Sequence, residues 1–122
     1  MKCFTLEQEI LDVFLEEYDD LLQILETELG KYPSDSIKIN EIFRVFHTLK
    51  GNSATIEYMR LYHLTKYYCD YFRPKQKETN LSEKEYLALN KCVKTLETFE
   101  TRIKNGKKGK TIKIIPLIKS LQ

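Results

Sequence analysis

His47 is the residue of this chain best placed to do chemistry. At helical spacing, its apolar neighbours form one stripe that predicts a buried helix face: Ile42, Val45, Phe46, Leu49, Ser53 and Ile56. His47 falls off that stripe, beside Lys50, Gly51 and Ala54. A neutral imidazole, with an unperturbed pKa of about 6.5, is a competent nucleophile near pH 7. The pattern therefore predicts an exposed nucleophile with a cation one helical turn further along.

Gly51 requires an explanation, because it lies inside this predicted helix. Glycine in a helix interior is about 1 kcal/mol less favourable than alanine. Close approach of another molecule to His47 would explain it, since glycine adds no side-chain bulk. A lone surface histidine on a helix usually has no role, so the interpretation depends on the residues around it.

Those residues carry a family resemblance. The run Phe43-Arg44-x-x-His47-Thr48-Leu49-Lys50-Gly51 resembles the phosphoacceptor helix of histidine phosphotransfer (HPt) domains, in particular the N-terminal domains of CheA-type chemotaxis kinases. The strong likeness covers residues 42–72. It implies that His47 accepts phosphate from ATP held by a separate kinase domain and passes it to an aspartate of a response regulator. It also implies that Lys50 is an electrostatic helper and that Gly51 provides clearance.

The expected partner surface surrounds His47. Its binding residues are Arg44, Gly51, Ala54, Lys66 and Cys69. Two of these depart from the family pattern. Cys69 stands where many members carry a glutamate that holds the imidazole in its reactive tautomer, and Lys66 stands where a second histidine is common. A second hypothesis is therefore a phosphorylation-silent helical adaptor that docks a kinase or a receiver domain.

The chain shows no phosphate-binding glycine loop. ATP and Mg²⁺ are therefore expected at the kinase partner, and this domain is expected to bind no cofactor and to act as a phosphocarrier rather than an autonomous enzyme. His47, His63 and Cys69 are residue types that can bind a metal, but their spacing matches no standard ligand pattern. No metal site is predicted.

Composition and charge favour a small intracellular domain. The 122 residues are 42% hydrophobic and 31% charged, which is ordinary for one folded domain. A net charge of +2 favours neither nucleic acid nor a membrane surface as partner. No apolar run approaches the roughly 18 residues of a membrane span. Three scattered cysteines suggest reduced thiols, so a cytoplasmic location is expected. A compact bundle of this size can stand as a monomer, which is the expected state, although the sequence leaves oligomeric state open.

Amphipathic segments predict an all-α fold, an up-down antiparallel four-helix bundle. The first helix opens at a capping box, Thr5 to Gln8, and ends at Gly30. After a connection at residues 31–36, the remaining helices are predicted from about Asp35 to Ala54, from Met59 to Arg73, and from a second capping box at Ser82 to Asn105-Gly106.

The bundle is expected to occupy residues 1–106, followed by a basic linker and apolar tail at residues 107–122. Residues 111–115 have strand propensity. Pro116 suits the first turn of a helix, so a short fifth helix from Pro116 to Leu121 is favoured. Docking of the tail on a partner or on a second copy is left open.

Overall fold

The computed structural model describes residues 6–109 and 111–122, without the side chain of Leu6. This part of the chain contains helices and no strand, so the predicted all-α class is confirmed. The elements are α1 (Leu6–Leu29), α2 (Ile39–Thr55), α3 (Met59–Phe72), a 3₁₀ turn (Arg73–Lys75), α4 (Glu83–Lys104) and α5 (Ile115–Lys119). The predicted capping box at Thr5 begins outside the described residues.

The core lies where α1, α2, α3 and α4 face one another, with α2 packed most extensively against α3. Its largest fully buried side chains are aromatic: Tyr18, Phe46, Tyr68, Phe72 and Phe99. Burying a phenol requires a partner for its hydroxyl. The Tyr18 hydroxyl of α1 donates a 2.6 Å hydrogen bond to the main-chain oxygen of Leu96 in α4, which fixes these two helices against each other.

Helix α2 begins at Ile39 and not near Asp35 as the sequence predicted. The reason is that the preceding backbone makes other hydrogen bonds. The Ile37 amide donates to the main-chain oxygen of Thr79 at 3.0 Å. The Lys38 amide donates to Glu28 Oε1 at 2.8 Å, and Lys38 itself is extended, with φ −94° and ψ 93°.

A tight turn joins α2 to α3. Glu57 adopts a left-handed backbone conformation with φ 58°, and the Tyr58 amide then donates to the main-chain oxygen of Ser53 at 2.9 Å. The chain thereby reverses within three residues, and α3 returns alongside the helix that carries His47.

The ends of α3 and α4 follow local sequence signals. Helix α3 stops at Phe72, one residue before the prediction, because Arg73 enters the 3₁₀ turn with Pro74. At Ser82 the predicted capping box is confirmed: its hydroxyl accepts from the Glu85 amide at 3.1 Å, and the Glu85 carboxylate accepts from the Ser82 amide at 2.9 Å. Gly106, with φ 67°, follows the end of α4 as predicted.

The tail packs against its own chain. The predicted fifth helix is confirmed as Ile115–Lys119, and residues 111–115 form no strand. Four apolar side chains of the tail are buried in the common core: Ile112, Ile114, Leu117 and Leu121. The Tyr58 hydroxyl donates to the main-chain oxygen of Lys107 at 2.7 Å. Among the described helices, none has the length and apolar character that a membrane span requires.

Candidate functional site

His47 lies in the middle of α2 with its side chain exposed. Its neighbours Val45, Phe46 and Leu49 are at most 1% exposed, because they belong to the stripe that packs against the core. The predicted stripe is confirmed at five of its positions, while Ile56 is only partly buried. The buried face thus fixes the helix rotation that presents His47 to solvent.

Phe43, to which the sequence assigned no role of its own, lies beside His47, and Arg73 in turn lies over Phe43. The ring of Phe43, one turn earlier, meets the imidazole at 5.6 Å between centroids and an interplanar angle of 88°. The Arg73 guanidinium covers the Phe43 ring at 5.1 Å from its centroid. The spacing of Phe43 and His47 was a usable sequence signal, because such pairs meet on a helix surface. Nothing in the sequence indicated Arg73.

Arg44 and Lys50 lie three residues before and after His47 on α2, while Lys66 and Arg73 share the surroundings of Asp70 with Lys50. These four cations are here called the cationic collar. Lys66 pairs with Asp70 at 3.0 Å and Arg73 lies 3.7 Å from the same carboxylate, while Arg44 pairs with Glu41 at 3.3 Å. Within the described residues, Lys50 makes no ion pair. Its charge is therefore available to an incoming anion.

Asp70 lies on α3 between two residues of the cationic collar, Lys66 and Arg73. The hydrogen bond from Lys66 lowers the pKa of Asp70, and the charges of Lys66, Arg73 and Lys50 act in the same direction. Asp70 is thus an ionised partner of two collar residues. No hydrogen bond joins it to His47 in the described structure.

Four of the five predicted binding residues are exposed: Arg44, Gly51, Ala54 and Lys66. Cys69 differs, since its side chain is 0% exposed. Burial raises the pKa of the Cys69 thiol, and the nearby charges of Lys50 and Arg73 oppose that rise. Cys69 lies beneath the surface because the core-facing side of α3 extends to this position, and its predicted role in partner binding stays a prediction.

The surface beside His47 is bare at Gly51. A Cβ atom built there would meet no heavy atom within 4 Å outside its own helix turn. The helix therefore gains nothing from glycine at this position through internal packing. The open space lies one helical turn after His47 on the surface of α2.

His63 occupies a separate place on α3. Its ring contacts that of Tyr62 at 5.4 Å, and it lines a surface cavity with Arg60 and Lys108 that His47 does not reach. Among the described residues, no three His, Cys, Asp or Glu side chains are arranged to hold a metal ion.

The structure is thus a helical bundle that carries one exposed histidine on α2. Comparison with known proteins shows the family to which this chain belongs. A family model described as "Hpt domain" matches residues 9–99. The chain therefore belongs to the Hpt domain family.

Curated relatives are similar over parts of the chain. "Chemotaxis protein CheA" of Borreliella burgdorferi is 42% identical over 76 residues, 59% of this chain and 9% of the relative. The Bacillus subtilis protein of that name is 47% identical over 58 residues, 45% of this chain and 9% of the relative. The Listeria monocytogenes protein is 32% identical over 105 residues, 82% of this chain and 17% of the relative.

This chain thus spans less than a fifth of the length of these relatives. No solved structure gives a significant match. Family membership and these relatives support histidine phosphotransfer in two-component signalling as the function of the domain.

Proposed function

We propose that His47 is the phosphoacceptor of this domain. The observation that carries the proposal is its exposed imidazole on a helix whose other face is buried, with the unpaired Lys50 one turn on and the bare surface of Gly51 beside it. A partner's active site could close over such a histidine without meeting side-chain bulk.

The first step is attack of a neutral imidazole nitrogen of His47 on the γ-phosphorus of ATP. An N–P bond forms, the bond from the γ-phosphorus to the β,γ-bridging oxygen breaks, and ADP leaves; the N–H proton of the other ring nitrogen passes to solvent or to a base of the partner. In phosphoryl transfer, positioning and charge neutralisation do most of the catalytic work. ATP and Mg²⁺ belong to the histidine kinase partner, and Lys50 offsets charge on the transferred oxygens.

The second step passes the phosphoryl group to a receiver domain. A carboxylate oxygen of an aspartate on the response regulator attacks phosphorus, the N–P bond to His47 breaks, and the ring takes up a proton from solvent to leave as neutral imidazole. Both partners would dock on the surface that comprises Arg44, Lys50, Gly51, Ala54 and Lys66. The domain is then a carrier between two partners.

The test is phosphorylation by a CheA-type kinase ATP-binding domain with Mg²⁺ and radiolabelled ATP. We expect label on the wild type that is lost in acid and kept in base, as for a phosphoramidate, and none on His47→Gln. His63→Gln is the matched control, because it removes the other histidine and should keep the label. Equal labelling of the wild type and His47→Gln would refute the assignment.

The second candidate is the phosphorylation-silent adaptor. It is favoured by Cys69, which is fully buried at the position where many family members carry the orienting glutamate. For this candidate, the wild type would bind the kinase domain or a receiver with the same affinity as His47→Gln. It would also take up no phosphate. Label on His47 excludes it.

A further inference from the structure

The His47 ring makes an aromatic contact. In the described part of the chain, no hydrogen bond reaches the imidazole, and its ring contact is with Phe43 at 5.6 Å and 88°. Edge-to-face geometry is the preferred arrangement of such ring pairs, because the edge of one ring is positive and the face of the other is negative. The contact therefore restrains how the imidazole can turn.

Phe43 is itself held in place. Its ring is partly buried and packs against the core, and the Arg73 guanidinium covers it at 5.1 Å from the centroid. Arg73 is positioned by α3, with Nη2 at 3.6 Å from Cys69 Sγ and 3.7 Å from Asp70 Oδ1. A guanidinium over a ring face is attracted by the ring quadrupole. Core packing and the Arg73 guanidinium of the 3₁₀ turn thus hold the Phe43 ring in place.

This arrangement can replace part of what a hydrogen bond to the histidine would do. A carboxylate partner fixes both the ring orientation and the tautomer of an imidazole. A ring contact fixes the orientation alone. A nucleophile that is already oriented loses less freedom when it reaches the transition state.

We propose that Phe43, clamped by Arg73, is the positioning residue for His47 in phosphoryl transfer. The inference rests on the proposed function, since it assumes that His47 is the nucleophile. In this proposal, Phe43 and Arg73 orient the imidazole. Position 69 of this chain carries a buried thiol and no carboxylate that could do so.

The first experiment measures orientation on the unphosphorylated protein by NMR. Removing the Phe43 ring current in Phe43→Leu should shift the carbon-bound protons of the His47 imidazole, and Phe43→Tyr should keep them near wild type. Tyr62→Leu is the matched control, because Tyr62 contacts His63 at 5.4 Å and should shift only the His63 signals. Unchanged His47 signals in Phe43→Leu would overturn the proposal.

The second experiment measures reactivity with phosphoramidate, a small donor that transfers its phosphoryl group to imidazole and releases ammonia. Loss of an aromatic pair should lower the rate constant about two- to tenfold in Phe43→Leu, and Phe43→Tyr should restore it. With a kinase domain as donor, kcat should fall by the same factor at an unchanged KM. A change in KM alone would show that Phe43 contacts the partner and would overturn the proposal.

Arg73→Met is a second variant that tests the same proposal if Phe43→Leu fails to fold. The Arg73 side chain is 51% exposed, so its replacement should preserve the fold while it uncovers the Phe43 ring. We expect a smaller decrease in the phosphoramidate rate, with a matching shift of the His47 signals. A wild-type rate in Arg73→Met excludes the clamp. If the wild type takes up no phosphate, the proposed function is refuted. The NMR result would still show whether Phe43 orients the His47 ring.

Discussion

The Tyr68 hydroxyl donates a 2.8 Å hydrogen bond to the main-chain oxygen of Leu117. This bond ties the short helix α5 to α3, the helix that contributes Lys66 to the cationic collar and leads into the 3₁₀ turn with Arg73. Burial raises the pKa of Tyr68 well above its ordinary value, so the hydroxyl stays protonated and the donor is kept. One side of α3 is thus fixed by the tail while another packs against α2.

Lys50→Gln should slow the labelling of His47 roughly tenfold, which is the scale of one lost hydrogen bond to a charged group. Lys66→Gln should cost less than about threefold, because Lys66 is exposed and already engaged by Asp70 at 3.0 Å. Single-turnover labelling with a kinase domain measures both. A larger effect at Lys66 than at Lys50 would contradict the role assigned to Lys50.

Gly51→Leu should block labelling by a kinase domain while phosphoramidate still labels His47 at the wild-type rate. A Cβ atom added at this exposed position meets nothing within 4 Å, and leucine is a better helix former by about 0.5–1 kcal/mol, so the melting temperature should stay level or rise. A drop in helicity would show that Gly51 has a structural role.

Gly109→Ala is the contrasting glycine substitution. A Cβ atom there would lie 2.7 Å from a ring carbon of Tyr58 and 2.9 Å from one of Phe99. We expect a loss of about 1–3 kcal/mol in the free energy of unfolding from overpacking. Labelling of the folded protein should be unchanged.

Glu57→Gly should stabilise the protein by about 0.5–1 kcal/mol. Glu57 has φ 58°, a conformation that costs an L residue about 1–2 kcal/mol and that glycine adopts freely, at some cost in unfolded-chain entropy. Ala54→Gly, inside α2, should instead destabilise by about 1 kcal/mol. Urea denaturation of the two variants compares them, and destabilisation by Glu57→Gly would be the contrary result.

Leu49→Ala should lower the free energy of unfolding by about 2–5 kcal/mol, since the side chain is 0% exposed and its removal leaves a cavity. Arg44→Ala, whose side chain is 70% exposed, should change it by less than about 0.5 kcal/mol. Chemical denaturation gives both values. Similar losses at the two positions would mean that the helix is rotated from its described orientation.

Glu100 makes stability depend on pH. Burial and its hydrogen bond with Asp19 raise its pKa from 4.5 to about 7, and Oε2 has no hydrogen-bond partner in the described structure. Because the folded state favours the protonated acid, this contribution to stability is complete below the unfolded pKa and is lost as pH rises through about 7. The attraction of Lys104, at 3.8 Å, only partly offsets the effect.

Glu100→Gln imitates the protonated acid at every pH. It should therefore be more stable than wild type at about pH 8, by about 1–2 kcal/mol after screening by water, and equal to it near about pH 5. Thermal unfolding across this pH range tests the expectation. A difference that grows as pH falls would have the wrong sign.

Local signals in the sequence predicted most of this fold. The capping box at Ser82 and the stop at Gly106 depend on residues within a few positions of each other, and both were located correctly. The buried stripe of α2 followed from helical period alone. The start of α2 was missed, because the hydrogen bond from Ile37 to Thr79 joins distant segments.

The part of the site that lies within one helix was also predictable from the sequence. The position and exposure of His47 came from its own helix, as did the open surface at Gly51. The cover of Arg73 over Phe43 and the burial of Cys69 depend on how α3 is rotated against α2. No spacing within one helix encodes that rotation, so these contacts needed the structure.

The turn at Glu57 has a consequence for how the site is built. Phe43 and the cationic collar belong to one helical hairpin, at positions 43–73 of the chain. Contacts between segments so close in sequence cost little loop-closure entropy. Proteins in which such local contacts dominate fold in microseconds to milliseconds. The reactive face is therefore held together by contacts that are local in the chain, whereas α5 is joined to α3 by a bond between residues 49 apart, Tyr68 and Leu117.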